Sequence, residues 1–253
     1  MFPIGDENEP GRGPAFVSLA FILINVGVFF LLQFPEAERR DQPFTYGYAT
    51  VPAEITTGED LTEPQPIRID GQTVGIPQAP GPDPIYLTLL TSMFMHGGIA
   101  HLLGNMLFLW IFGDNVEHRV GHLVYPLFYL GAGVVATFAQ IAINPDSVIP
   151  TLGASGAISG VLGAYLILFP TNRVTIIAFR FIPFQVPALV AIGMWAVFQF
   201  VNGFGSIAVT EETGGGVAYM AHIGGFVAGL VFGFVARGIW GSGPRRDLRY
   251  GYR

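Results

Sequence analysis

Gly153-Ala154-Ser155-Gly156, followed by the apolar run Ala157 to Leu168, is the stretch on which the fold of this chain turns. Read as a helix, Ser155 to Leu168 covers roughly 20 Å before the break at Phe169-Pro170. The hydrocarbon core of a bilayer is about 30 Å thick. If the far end sits at the interface near Thr171-Asn172-Arg173, Ser155 lies below the opposite surface, inside the membrane. A hydroxyl at the start of a submerged helix, flanked by glycines, calls for partners at the same depth.

Composition points the same way. The 253 residues are 51% hydrophobic and only 12% charged, with mean hydropathy +0.51, the class of a polytopic membrane protein forming one bundle. All 12 basic residues are arginines. The net charge of −6 comes largely from loops, and no basic stripe suggests nucleic acid. With no cysteine there is no disulfide framework, cysteine nucleophile or thiolate metal site. No cleavable signal peptide is evident: the acidic leader (Asp6, Glu7, Glu9) precedes an apolar run too long for one.

Working outward from Ser155, the sequence divides into a polar leader (1–14), a bundle (15–240) and an Arg-rich tail (241–253). Six hydrophobic spans are expected: Ala15–Phe34, about Ile99–Phe112 with a start as early as Leu87, Leu123–Ile143, Ser155–Phe169, about Phe184–Phe204, and about Val217–Trp240. Residues 35–85 form a long Pro-, Gly- and acid-rich external connection that cannot lie in lipid. A short polar loop with Asp114, Glu117, His118, Arg119 and His122 is expected after the second span, its carboxylates solvated. Six spans put both termini on one side. Arg119, Arg173, Arg180 and the tail arginines (Arg245, Arg246, Arg249, Arg253) mark that side as cytoplasmic. Spans two, four and six then all start at the outer face.

Each of these three spans carries polar residues near its start: His96, His101 and Asn105; Ser155; and His222, about five residues into its helix. Polar side chains inside a membrane cost free energy and suggest a functional site. A lone serine in a Gly-rich helix is more often a packing residue; serine beside histidine points to nucleophilic catalysis, because serine needs a base to take its proton. The N–H groups at the start of the fourth span, at the positive end of a helix dipole, could hold an oxyanion together with His101 and Asn105. No carboxylate is available as a third member, and the group that orients His222 is not obvious. Gly156, Gly160 and Gly163 on one span, and Gly225, Gly229 and Gly233 on the other, let spans four and six pack closely.

His96-x4-His101-x3-Asn105, Gly153-Ala154-Ser155-Gly156 and Ala221-His222-x2-Gly225-x3-Gly229, in this order on alternate spans, resemble the rhomboid intramembrane serine proteases across roughly Ala15 to Trp240. The resemblance implies an all-α, six-transmembrane-helix rhomboid bundle with Ser155 as nucleophile and His222 as general base. It implies that His101 and Asn105 complete an oxyanion hole with the Gly153-Ala154 backbone, and that His96 holds the adjacent hydrogen-bond network. Single-pass transmembrane substrates are expected, with neither metal nor cofactor. Two features depart from some relatives. Ser159 stands where they carry an aromatic residue that stacks on the catalytic histidine. A Trp-Arg pair of their first loop is missing too, the tryptophans being Trp110, Trp195 and Trp240. Residues Trp195–Phe200 are expected to flank a lateral gate, and residues 144–154 and 205–216 to cap a water-filled cavity. The expected setting is a prokaryotic cytoplasmic membrane. A transporter is disfavoured by the lack of a repeated half, and a zinc protease by the lack of HExxH.

Overall fold

A computed structural model describes residues 2–8, 13–39, 41–69, 71–178, 182–208 and 218–241. The expectations for Arg180, Val217, the tail arginines and most of the 205–216 cap fall outside these residues. Among the described residues, six long helices dominate: α1 (Phe16–Val28), α2 (Ile99–Val120), α3 (Val124–Ile141), α4 (Ser155–Leu168), α5 (Ala188–Ala208) and α6 (Tyr219–Trp240). A π-helical turn, Phe29–Gln33, carries α1 on into a further helix, Phe34–Arg39. Among the described residues, four helices are long and apolar enough to cross a membrane: Phe16–Arg39, α2, α3 and α6; α4 and α5 belong to shorter apolar segments. The protein is a polytopic helical membrane protein.

The helices meet where small residues permit it. A Cβ on Gly229 would overlap the carbonyl oxygen of Gly160, and one on Gly225 would overlap that of Gly156. The backbones of α4 and α6 therefore touch, as small residues at four-residue spacing allow. On its other side α4 rests on α3, where a Cβ on Gly156 or Gly160 would stand 2.7 or 2.6 Å from the Cβ of Ala136 or Ala132. Eleven of the fourteen residues of α4 are buried. This short helix is the axis of the bundle.

Three boundaries differ from expectation. Helix α2 continues to Val120, so Asp114, Glu117, His118 and Arg119 form its last turns rather than a loop. Glu117 is fully buried, not solvated. Its carboxylate accepts hydrogen bonds from the N–H groups of Val17 (2.9 Å) and Ser18 (2.8 Å) and from Ser18 Oγ (2.7 Å), and lies 2.6 Å from His122 Nδ1. Glu117 thereby caps α1, satisfying donors that a helix start leaves free. Arg119, also buried, stands 4.8 Å over the Phe169 ring and donates to the Gly241 carbonyl. The charges look loop-like in sequence because their partners come from other helices. Helix α5 begins at Ala188, Phe184 lying in a strand, and α6 begins at Tyr219.

Among the described residues, two small sheets supplement the helices. Strand β1 (Phe2–Asp6), from the leader, pairs antiparallel with β4 (Arg173–Ala178), which pairs with β5 (Ile182–Pro187). Within the long connection, β2 (Gln65–Ile69) and β3 (Gln72–Ile76) form a hairpin. The leader also docks by side chains. Asp6 accepts from Tyr165 of α4 (2.5 Å) and Asn115 of α2 (2.9 Å).

The long connection packs on the segment that leads into α4. Thr50 and Thr151 exchange two backbone hydrogen bonds, and Ala53 donates to the Ser147 carbonyl. Gln78 donates from its amide to the Val148 carbonyl. The chain entering Ser155 is thus held from outside the bundle. The segment before α2 is not an early start of that helix: it consists of short turns, Ile85–Leu87, Thr88–Thr91 and Ser92–Phe94, separated from Ile99 by His96, Gly97 and Gly98.

Candidate active site

Ser155 is the first residue of α4 and is half-buried. The turn before it requires glycine: Gly153 has φ +131°, where a side chain would be strained. Its N–H donates to the Ser92 carbonyl at 2.9 Å. Ala154 precedes α4 without a side-chain cap, so N–H groups of the first turn remain unclaimed by side chains. They lie where the helix dipole is positive.

Helix α6 delivers the second group. His222 lies in its first turn, nearer the helix start than expected, its N–H bonded to the Ala218 carbonyl. Its Nε2 is 2.8 Å from Ser155 Oγ. The glycine contacts between α4 and α6 set this distance, since the first turns of the two helices stand side by side wherever their backbones touch.

The other face of the imidazole meets α5. His222 Nδ1 is 2.8 Å from Gln199 Oε1. An amide oxygen only accepts, so the proton sits on Nδ1 and leaves Nε2 with a lone pair for the Ser155 hydroxyl. Trp195 and Tyr219 stand beside the ring at 6.3 and 6.4 Å between centroids. Among the described residues, no carboxylate hydrogen-bonds His222. Ser159 turns away, donating to the carbonyl of Ser155 at 2.6 Å.

Three further expected residues come from α2 and the turn before it. The ring of His101 lies against Gly153: a Cβ there would be 2.9 Å from its Cε1, 3.0 Å from its Nε2 and 3.6 Å from Ser155 Oγ. His101 thus borders the same small space as the serine hydroxyl, while its Nδ1 accepts from the Gly97 N–H at 3.3 Å. Asn105 is one turn further along, and its amide donates to the His101 carbonyl at 3.1 Å. In this arrangement it bonds within its own helix. His96 is buried, its ring 5.1 Å from that of His101, and neither ring nitrogen has a hydrogen-bond partner among the described residues. Its backbone is gripped by the side chain of Gln33, from the π-helical turn, which receives its N–H at 2.8 Å and donates to its carbonyl at 3.2 Å.

Ser155, His222, His101 and Gly153 therefore converge, with His96 behind His101 and Asn105 alongside. Gly156, Gly160, Gly225 and Gly229 lie at the helix crossing beneath. Sequence reasoning missed Gln199 and Gln33. Both carried a signal, being polar residues within apolar stretches, the pattern that marks functional positions in membranes. Among the described residues, no group of three His, Asp or Glu side chains is placed to hold a metal ion.

The site sets a serine hydroxyl against an imidazole at the start of a helix inside a membrane bundle. The family model described as "Rhomboid domain" matches residues 84–239, and the chain belongs to the rhomboid family. It is similar to "Rhomboid protease GluP" of Bacillus subtilis, 35% identical over 154 residues, which are 61% of this chain and 27% of that protein. It is also similar to "Rhomboid protein 1, mitochondrial" of Saccharomyces cerevisiae, 30% identical over 58% of this chain and 41% of that protein. The bovine "Presenilin-associated rhomboid-like protein, mitochondrial" is 30% identical over 56% of this chain and 36% of its own length. The chain spans well under half the length of each of these relatives.

Proposed function

We propose that this protein is a serine endopeptidase that hydrolyses peptide bonds in or near the transmembrane helices of other membrane proteins. The observation that carries the reading is the 2.8 Å contact between Ser155 Oγ and His222 Nε2 at the start of α4. In the proposed reaction Nε2 takes the hydroxyl proton as Oγ bonds to the scissile carbonyl carbon. The resulting oxyanion is held by N–H groups at the start of α4, by His101 and, once its amide turns from the His101 carbonyl, by Asn105. His222 then gives its proton to the leaving amine as the C–N bond breaks, and water hydrolyses the acyl-enzyme by the same steps in reverse roles. His96 supports His101 from behind.

The substrates are single-pass membrane proteins, entering beside Trp195–Phe200 from surrounding lipid. The arginine distribution supports cytoplasmic termini and a site opening to the outer face of a prokaryotic inner membrane. No metal or cofactor takes part. The test is cleavage of a single-pass substrate by purified protein, Ser155→Ala and His222→Ala, each with and without EDTA. Both substitutions abolish cleavage and EDTA leaves it unchanged. Cleavage that survives Ser155→Ala overturns the mechanism, and a wild type inert in detergent and liposomes points instead to a helix-binding role.

A further inference from the structure

The base in this site is oriented from a helix that carries neither of the two reacting residues. His222 makes two directional side-chain contacts among the described residues, Nε2 with Ser155 and Nδ1 with Gln199. Ser159 is bonded to its own helix, so among the described residues α4 adds no side-chain hydrogen bond to the ring beyond that of Ser155 itself. Trp195 is tilted at 36° and Tyr219 stands edge-on at 82°. At their centroid distances they limit how far the imidazole can swing but do not choose between its tautomers. Gln199 is only 7% exposed and sits among apolar neighbours on α5, where an amide is costly unless it is bonded. His222 satisfies its oxygen.

We propose that Gln199 is the positioning residue for the reaction, rests on the reading of Ser155 and His222 as the catalytic pair, and does the work of a triad's third member with a neutral group. Its Oε1 accepts the Nδ1–H of His222, which keeps Nε2 free to receive the Ser155 proton. A neutral amide fixes the tautomer without burying a full negative charge, whose desolvation would cost several kcal/mol. The arrangement also ties reactivity to the docking of α5, because any displacement of that helix lengthens the bond and frees the ring.

The test compares wild type with Gln199→Met, which keeps the side-chain volume without the acceptor, and Gln199→Glu, which puts a carboxylate against Nδ1. The groups that titrate around His222 are His101 of α2 and Tyr219 of its own helix; α3, α4 and α5 present Gln140, Ser155, Trp195 and Gln199. Gln199→Met is expected to lower kcat roughly 10–100-fold with KM little changed. In the histidine 15N spectrum of the same variant, His222 should pass from one tautomer to a mixture. Gln199→Glu should keep most of kcat and raise the acid limb of its pH profile by about one unit, since the carboxylate favours the imidazolium. Unchanged kcat in Gln199→Met with an unmoved acid limb in Gln199→Glu overturns the proposal, even if both variants melt earlier. The tautomer readout does not depend on turnover. If cleavage survives Ser155→Ala while the tautomer still responds to Gln199→Met, the catalytic pair is wrong and the orienting contact stands.

Discussion

Two of the helices beside α6 at the site, α4 and α5, hold it in different ways. Against α4 it is locked backbone to backbone: Gly225 and Gly229 leave no room for a single methyl group over Gly156 and Gly160. Against α5 it meets side chains: Trp195 beside Phe226 and His222, Gln199 on His222, and Gly203 facing the end of Ile223. Backbone contact fixes position closely because neither partner can rotate away. Side-chain contact yields, since rotamers adjust at a cost of about 1 kcal/mol. The hydroxyl and the imidazole are thus placed by a rigid interface, whereas the group that orients the imidazole sits on an adaptable one. Helix α4 is also tied at its far end, where Tyr165 bonds to Asp6 of β1.

The largest effect should come from breaking the rigid side. Gly229→Val sets three carbons where the Gly160 carbonyl stands, so the helices must separate. We expect at least about 3 kcal/mol of lost stability and no cleavage, read by thermal unfolding in detergent. A variant that melts like wild type would show that α4 and α6 are not locked. Next is Trp195→Ala on the adaptable side, expected to cost about 2 kcal/mol with a several-fold fall in cleavage. It should not abolish activity, because Gln199 still holds the ring.

A smaller effect probes the tie at the far end of α4. Burial pushes the Asp6 carboxyl up to about 7 from its ordinary 3.8. The folded chain then keeps a proton that the unfolded chain releases. The contribution of Asp6 to stability is therefore full below about pH 4 and is lost as pH rises through 7. Asp6→Asn keeps an acceptor for Tyr165 and should flatten that slope. It gains on the order of 1 kcal/mol at pH 8 and nothing at pH 4, measured as apparent Tm against pH. The smallest effect is Gly203→Ala on α5. The new methyl meets the flexible end of Ile223 at 2.7 Å, and a shift within about 0.5 kcal/mol of wild type is expected. A loss as large as that of Gly229→Val would erase the contrast between the two interfaces.

Much of this was legible in the sequence, for identifiable reasons. The apolar spans and the glycine stripes are local and periodic, so the bundle and the crossing of α4 with α6 could be read directly. Ser155, His222 and His101 stood out as polar residues at span starts. What escaped depends on pairings between distant elements. The last turns of α2 look like a loop until Val17 and Ser18 arrive to bond Glu117. The leader becomes a strand only opposite β4. Gln199 is recognisable as an orienting group only when α5 and α6 are side by side, though its polarity in a Phe-rich helix was a usable signal.

The pairing of β1 with β4 also has a consequence for biosynthesis. Glu7 meets the backbone of Arg173 across 166 residues of chain. A ribosome adding about 5–20 residues per second needs roughly 10–30 seconds to make that length. Over that interval the leader has no strand to pair with, and by its end the four helices α1 to α4 have been made. Closure of the sheet therefore belongs to the late steps of assembly, after Tyr165 and Asn172 have been made to receive Asp6 and Glu7. Truncating the nascent chain before residue 173 should leave those first residues open to protease, and extending it past residue 187 should protect them.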